Sequence, residues 1–261
     1  MLKKLKNLIS LYNQSPKLLS FGKGLAKGAL FLLFLYLAVR LPEAHRALVR
    51  AKVGPKVIMI VNAEQTSGGT GFYVKARSGK TFIVTNSHVC NMGPQRLYAE
   101  LPDSRFTKLK LREISRVTDL CILESNADIE GLELSSDLNV GQQVEILGHP
   151  RLFPLTSTTG EYTGDLYKIQ MPMSLGKCPK DMEGPLSDGK FDTGFFGELD
   201  VCMLNVPVAG ISTAKSLGGN SGSPVVNWKG DVVGVVFGGF NDNNDALIIP
   251  LPDLKEFLKP Y

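Results

Sequence analysis

A hydroxyl, an imidazole and a carboxylate stand at the ends of three apolar runs: His88 in IVTNSHVC, Asp119 in RVTDLCILE and Ser221 in GGNSGSP. A serine hydroxyl is a poor nucleophile near neutral pH. It needs a base to take its proton, and the base needs a carboxylate to hold its tautomer and to stabilise it once charged. These three residue types together suit attack on an acyl carbonyl. Such attack builds negative charge on the carbonyl oxygen, and the glycine-rich stretch SLGGNSGSP can aim the backbone N–H groups of Gly219 and Ser221 at one point. Glycine on both sides of the serine also leaves room for a substrate backbone. Each motif alone has a plainer reading: a hydrogen-bonded structural histidine, an aspartate in a turn, a simple Gly-Asn-Ser-Gly turn. Their weight lies in the combination, in the order His, Asp, Ser on a strand-rich chain.

The elements that must position these groups are short β-rich runs separated by turn signals. From Lys56 onward they include VIMIVNA, GTGFYVKA, TFIVTNSHV, LYAEL, LCILES, QQVEILG, VCMLNVPVA, SPVVN, DVVGVVFGG and ALIIPL. Runs of this length without alternating long helices predict an all-β barrel or sandwich. Only PDLKEFLKPY, at the end, reads as a helix. The stretch from Gly176 to Leu199, rich in Gly, Pro, Asp and Lys, reads as a loop that is long for a compact domain.

At these residues the chain resembles the trypsin-like (chymotrypsin-fold) serine peptidases, and most closely the HtrA-type branch without its usual C-terminal PDZ-type peptide-binding domain. GTGFYV is similar to that family's entry strand, and IVTNSHV, TDLCILE and GGNSGSPVVN to its histidine, aspartate and serine motifs. GQQVEILGHP and ALIIPLPDLKEFL resemble the opening strand and the closing strand and helix of its second barrel. The likeness covers roughly Pro55 to Tyr261. It implies two six-stranded-type β-barrels with a short C-terminal helix, and a serine endopeptidase in which His88, Asp119 and Ser221 form the triad. Gly219 and Ser221 would supply the oxyanion hole, with no metal or organic cofactor required. Lys215 and Ser216 fall near the first specificity pocket, and Phe237, Gly238 and Gly239 near the segment that pairs with substrate backbone. Lys215 is read either as a partner for an acidic substrate side chain or as a solvent-facing loop lysine, and the two glycines either as an open pocket or as a hairpin turn. Ser223 departs from the family's usual glycine. The rival reading is a catalytically silent binding module, and a third is an esterase using the same groups. HtrA-type relatives are often trimeric, which makes a trimer an expectation no particular residue here supports.

Charge and cysteines narrow the partners. The net charge of +4 is concentrated at the front: the first 56 residues hold eleven Lys or Arg and one Glu, leaving 18 basic and 24 acidic groups in the rest. A mildly acidic body gives no case for nucleic-acid binding. Cys90, Cys121, Cys178 and Cys202, with three scattered histidines, make no zinc pattern. Cys178 and Cys202 flank the loop-like stretch, where either a bridge or two thiols fit. Cys90 and Cys121, in apolar surroundings, read as small buried thiols. His149, in LGHP, reads as a turn residue.

The first 55 residues divide into a basic amphipathic tail (1–24), an apolar segment (25–41) and a helical stalk (42–55). Leu2, Leu5, Leu8, Ile9 and Tyr12 recur at helical spacing among lysines, as in a helix on an anionic membrane surface or a solvated tail. Gly28 to Val39 carries no charge; its twelve residues would span roughly 18 Å as a helix, and Leu25 to Leu41 reaches further if Lys27 and Arg40 snorkel. This segment reads as an uncleaved single-pass anchor in preference to a removed signal peptide or a buried helix, with the body on the extracytoplasmic side. Basic residues on both flanks nearly cancel the orientation signal.

Overall fold

Successive apolar side chains along the strands feed two different cores, one on each face of a sheet. The computed structural model describes residues 42–92, 97–101, 105–115, 117–175, 177–178, 186–192, 198–239 and 245–261. The basic tail, the apolar segment and much of the 176–199 stretch lie outside them. By contacts the chain divides into a unit ending at Leu48 and a second, Val49–Tyr261. Residues 42–53 are helical (α1). Among the described residues no helix is long and apolar enough to cross a membrane.

Seven antiparallel strands form the first sheet: β1 (Val57–Asn62), β2 (Gly68–Lys75), β3 (Thr81–Thr85), β4 (Leu97–Glu100), β5 (Phe106–Lys108), β6 (Lys110–Ile114) and β7 (Cys121–Glu124), in the order β5-β4-β1-β2-β3-β7-β6. A short helix, α2 (Ser87–Cys90), follows β3. The second sheet comprises β8 (Gln143–Gly148), β9 (Thr156–Leu175), β10 (Leu186–Asp192), β11 (Glu198–Ser212), β12 (Pro224–Val226), β13 (Val232–Gly239) and β14 (Ala246–Pro250). Helix α3 (Leu251–Leu258) closes the chain. Because β9 pairs with both β8 and β11, six strands of the second sheet close into a ring, β8-β9-β11-β14-β13-β12. This is the chymotrypsin-like arrangement of two β-sheets with a short terminal helix. Among the described residues each sheet carries seven strands where six-stranded barrels are expected, and in the second the extra strand is β10, added outside the ring.

Successive side chains of a strand point to opposite faces. Ile58 and Ile60 of β1, Tyr73 of β2, Ile83 of β3 and Leu123 of β7 fill the first sheet's interior. Val57, Phe72, Val74, Val84 and Ile122, their neighbours in sequence, pack instead with Leu147, Val226, Val235, Ile249 and Leu254 in a cluster shared by both sheets. Val144, Ile146, Ile211, Val225, Val233 and Ile248 fill the second ring. Burial on both faces explains why these strands read as apolar runs rather than strict alternations.

The loop expected between Gly176 and Leu199 is corrected in part: it contains β10, and β9 and β11 run long on either side. Strand β10 pairs with β11 from Leu186↔Leu204 to Asp192↔Glu198, so main-chain pairing to a neighbour overrides a Gly- and Asp-rich composition. Cys178 and Cys202 are joined by a disulfide toward the outer end of this three-stranded arm, where Cys202 pairs with Ser174 of β9 and Asp188 of β10. Leu204, Val206 and Val208 of the arm pack with Leu247 and against Phe237.

Candidate active site

His88 and Asp119 are brought together by strand pairing. Thr85, the last residue of β3, pairs with Cys121, the first of β7, so the turns that extend these strands meet side by side. Asp119 has no exposed surface. Its Oδ2 lies 2.6 Å from His88 Nδ1, while its Oδ1 accepts the His88 backbone N–H at 2.9 Å and the Ser87 hydroxyl. The Asp119 carbonyl accepts Asn86 Nδ2 at 2.9 Å and the Ser87 N–H at 3.3 Å. A buried carboxylate needs such a set of donors to remain charged. With Nδ1 donating to it, the imidazole presents the lone pair of Nε2 to the cleft, where the His88 side chain is 34% exposed.

A second disulfide, Cys90–Cys121, ties α2 to the start of β7. The expectation of two buried thiols is thereby corrected. Both cysteines are buried, as expected, but each lies two residues beyond one member of the His–Asp pair, so bringing His88 to Asp119 also brings the sulfurs together.

Ser221 comes from the other sheet, in the turn between β11 and β12. Two glycines set that turn. Gly219 has φ +92°, and the Asn220 N–H closes on the Leu217 carbonyl at 3.0 Å, the pattern of a type II turn with glycine at its third position. Gly222 has φ +84°, and a β carbon there would lie 2.1 Å from the Thr70 carbonyl oxygen. Among the described residues neither the Gly219 N–H nor the Ser221 N–H is donated to an internal acceptor.

The Ser221 hydroxyl donates to the Phe237 carbonyl at 3.2 Å, and among the described residues no hydrogen bond joins it to His88. Phe237 links the two halves of the cleft all the same. Its ring meets the His88 imidazole edge to face, with centroids 6.1 Å apart. It is also the extra residue of a β-bulge: Val236 pairs with Ile248 and Gly238 with Leu247, which leaves the Phe237 carbonyl free of the ladder and turned to the serine.

Of the remaining expected site residues, Phe237, Gly238 and Gly239 lie in β13, so the two glycines are strand rather than hairpin turn. A β carbon on Gly238 would meet nothing within 4 Å, whereas on Gly239 it would lie 3.1 Å from Ser216 Cβ. Ser216 therefore abuts β13, and Lys215 is exposed. His149 is in a turn, as read, with its N–H on Thr70 Oγ1 at 2.9 Å and Nδ1 3.0 Å from the Phe153 carbonyl. Burial lowers its pKa, against the opposing pull of that carbonyl and of Glu100. Among the described residues no cluster of His, Cys, Asp and Glu could hold a metal ion.

Comparison with known proteins agrees with this geometry. Residues 69–235 match the family described as the trypsin-like peptidase domain, and they make up well over half of the sequence. The chain belongs to the trypsin-like peptidases. Within that family it is 28% identical over 178 residues to the serine protease Do-like HtrA of Bacillus subtilis, covering 66% of this chain and 33% of that protein. It is 29% identical over 197 residues to serine protease HTRA4 of Homo sapiens, covering 74% and 34%. This trypsin-like chain thus spans about a third of the length of these curated relatives. The active form of the Rv3671c protease from M. tuberculosis superposes with a TM-score of 0.61 at 21% identity, over 81% of this chain and 82% of that one. The serine endoprotease from Yersinia pestis gives 0.58 at 18%, over 81% and 64%. At these identities the structural likeness speaks to the fold alone.

Proposed function

We propose that the protein is a membrane-tethered serine endopeptidase of HtrA type. The observation that carries the reading is the contact of His88 Nδ1 with the buried Asp119 carboxylate at 2.6 Å, in the same cleft as a glycine-flanked serine. Ser221 Oγ attacks a peptide carbonyl as its proton passes to His88 Nε2, for which its hydroxyl turns from the Phe237 carbonyl to the imidazole. The N–H groups of Gly219 and Ser221 stabilise the oxyanion. Collapse breaks the C–N bond, and His88 returns the proton to the leaving amine. Water, deprotonated by His88, then releases the acyl group and regenerates the serine. The substrate backbone lies along Phe237–Gly239. Exposed Lys215 and half-buried Ser216 border the first side-chain pocket.

A fluorophosphonate probe tests the chemistry: it should label the full-length protein at one site and fail to label Ser221→Ala. Absence of labelling in folded wild type would instead favour a silent binding module, the reading toward which the Ser221–Phe237 hydrogen bond leans. The tether rests on the uncharged run Gly28–Val39 and the basic tail before it. Added protease should spare the catalytic unit of oriented vesicles on one side only, and release into the supernatant on carbonate washing would exclude a spanning anchor.

A further inference from the structure

Thr70 reaches across from the first sheet to the nucleophile turn. It is fully buried in β2, and each of its polar groups has a partner. The N–H donates to the Ser221 carbonyl at 2.8 Å, and the carbonyl accepts Thr85 Oγ1 at 2.7 Å. The hydroxyl oxygen accepts the His149 N–H at 2.9 Å, and the hydroxyl hydrogen goes to the Gly219 carbonyl at 2.8 Å. A hydroxyl has a single hydrogen, and an N–H aimed at its oxygen cannot take that hydrogen. The His149 amide thus leaves the Thr70 proton one internal acceptor, and that acceptor belongs to the oxyanion turn.

Gly219 is consequently held from both ends. The Gly218 carbonyl accepts the Arg151 N–H at 2.5 Å, which in a trans peptide directs the Gly219 N–H to the opposite side. The Gly219 carbonyl is held by Thr70. Between these two anchors the residue has φ +92°, a conformation open to glycine that a swing of either flanking peptide would abandon. The turn that supplies the His149 and Arg151 N–H groups is itself wound through left-handed residues, Arg151 at φ 54° and Leu152 at φ 60°.

We infer that Thr70 is a positioning residue for the oxyanion hole: its hydroxyl, oriented by the His149 N–H, fixes Gly219 so that its N–H faces the reacting carbonyl. This rests on the peptidase reading above. Losing one oxyanion donor outright costs about 10²–10³ in rate, so a donor that is loosened should cost about 10- to 100-fold.

The test compares Thr70→Val, which removes the hydroxyl at similar volume, with Thr70→Ser, which keeps it. Full-length proteins are titrated with a fluorophosphonate to obtain the maximal inactivation rate and the half-saturating concentration separately. Thr70→Val should lower the maximal rate about 10- to 100-fold and leave half-saturation within about threefold, with Thr70→Ser near wild type in both. Wild-type rates in Thr70→Val, or equal losses in both variants, would overturn the inference while leaving the peptidase reading intact. Folded wild type that does not react at all would sink both. Should Thr70→Val not fold, Thr70→Ala supplies the same comparison. If neither folds while Thr70→Ser does, the hydroxyl is a stability element and the inference fails.

Discussion

The two sides of the catalytic cleft are built differently. The His–Asp side is assembled within one sheet, from turns extending adjacent strands, and it is over-determined: one carboxylate takes three donors, its carbonyl takes two more, and a disulfide bridges the same two segments. The serine side is a glycine turn of the second sheet held across the interface by Thr70 of the first sheet and from within its own sheet by the His149–Leu152 turn between β8 and β9. The lesson is that base and carboxylate are registered by local pairing, whereas the nucleophile and its oxyanion donors depend on how two sheets dock. Substitutions on the first side should therefore act on proton transfer. Those on the second should act on transition-state binding.

The largest effect expected is from His88→Ala, which should lower kcat by at least about 10³-fold with an unchanged melting temperature. Steady-state kinetics and circular dichroism check it, and a merely tenfold loss would mean that the base lies elsewhere. A middle effect separates the two disulfides. Their loops are of similar length, with sequence separations of 31 and 24, so replacing either pair by alanine should cost about 2–4 kcal/mol of stability in denaturant titrations. Only the Cys90/Cys121 replacement should also lower kcat per folded molecule, by about tenfold or more, because a small displacement of the base is costly. Equal kcat in the two would dissolve the contrast between a clamped base and the outer end of the arm.

The smallest effect is a pH dependence on the serine side. Burial holds His149 below the usual imidazole range. An unfolded chain takes up that proton near pH 6.5 while the folded chain resists it, so the folded state keeps its full stability above about pH 6.5 and loses part of it as pH falls further. Unfolding midpoints at pH 7.5 and 5.0 should differ more in wild type than in His149→Gln. An identical difference in both would remove His149 from the account.

Much of this was legible in the sequence because apolar runs and glycine turns are local signals. The ten β-rich runs fall on strands, and GGNSGSP announced its own turn through residues that must adopt positive φ. What escaped reading depends on pairing between distant segments. Strand β10 has no apolar pattern of its own and exists because β11 lies beside it. The Cys90–Cys121 link was recoverable from spacing, since SHVC and TDLC each place a cysteine two residues past a proposed triad member. Thr70 carried no signal, because a threonine in a strand is ordinary until the carbonyl it meets is known.

The ring of six strands has a consequence for how this molecule can change. Among the described residues strand β11 meets β14 at Ala209–Ile211, whereas its pairing with β9 continues back to Val201. At about 3.4 Å per residue, the length beyond the ring amounts to roughly 27 Å of ribbon whose strand pairing, among the described residues, is with β9 and β10. Beyond Leu204 such an appendage can be lengthened, trimmed or exchanged between relatives without reopening the closure that carries the serine, so novelty in what is captured can accumulate at its tip while Leu204, Val206 and Val208 keep their hold on Phe237.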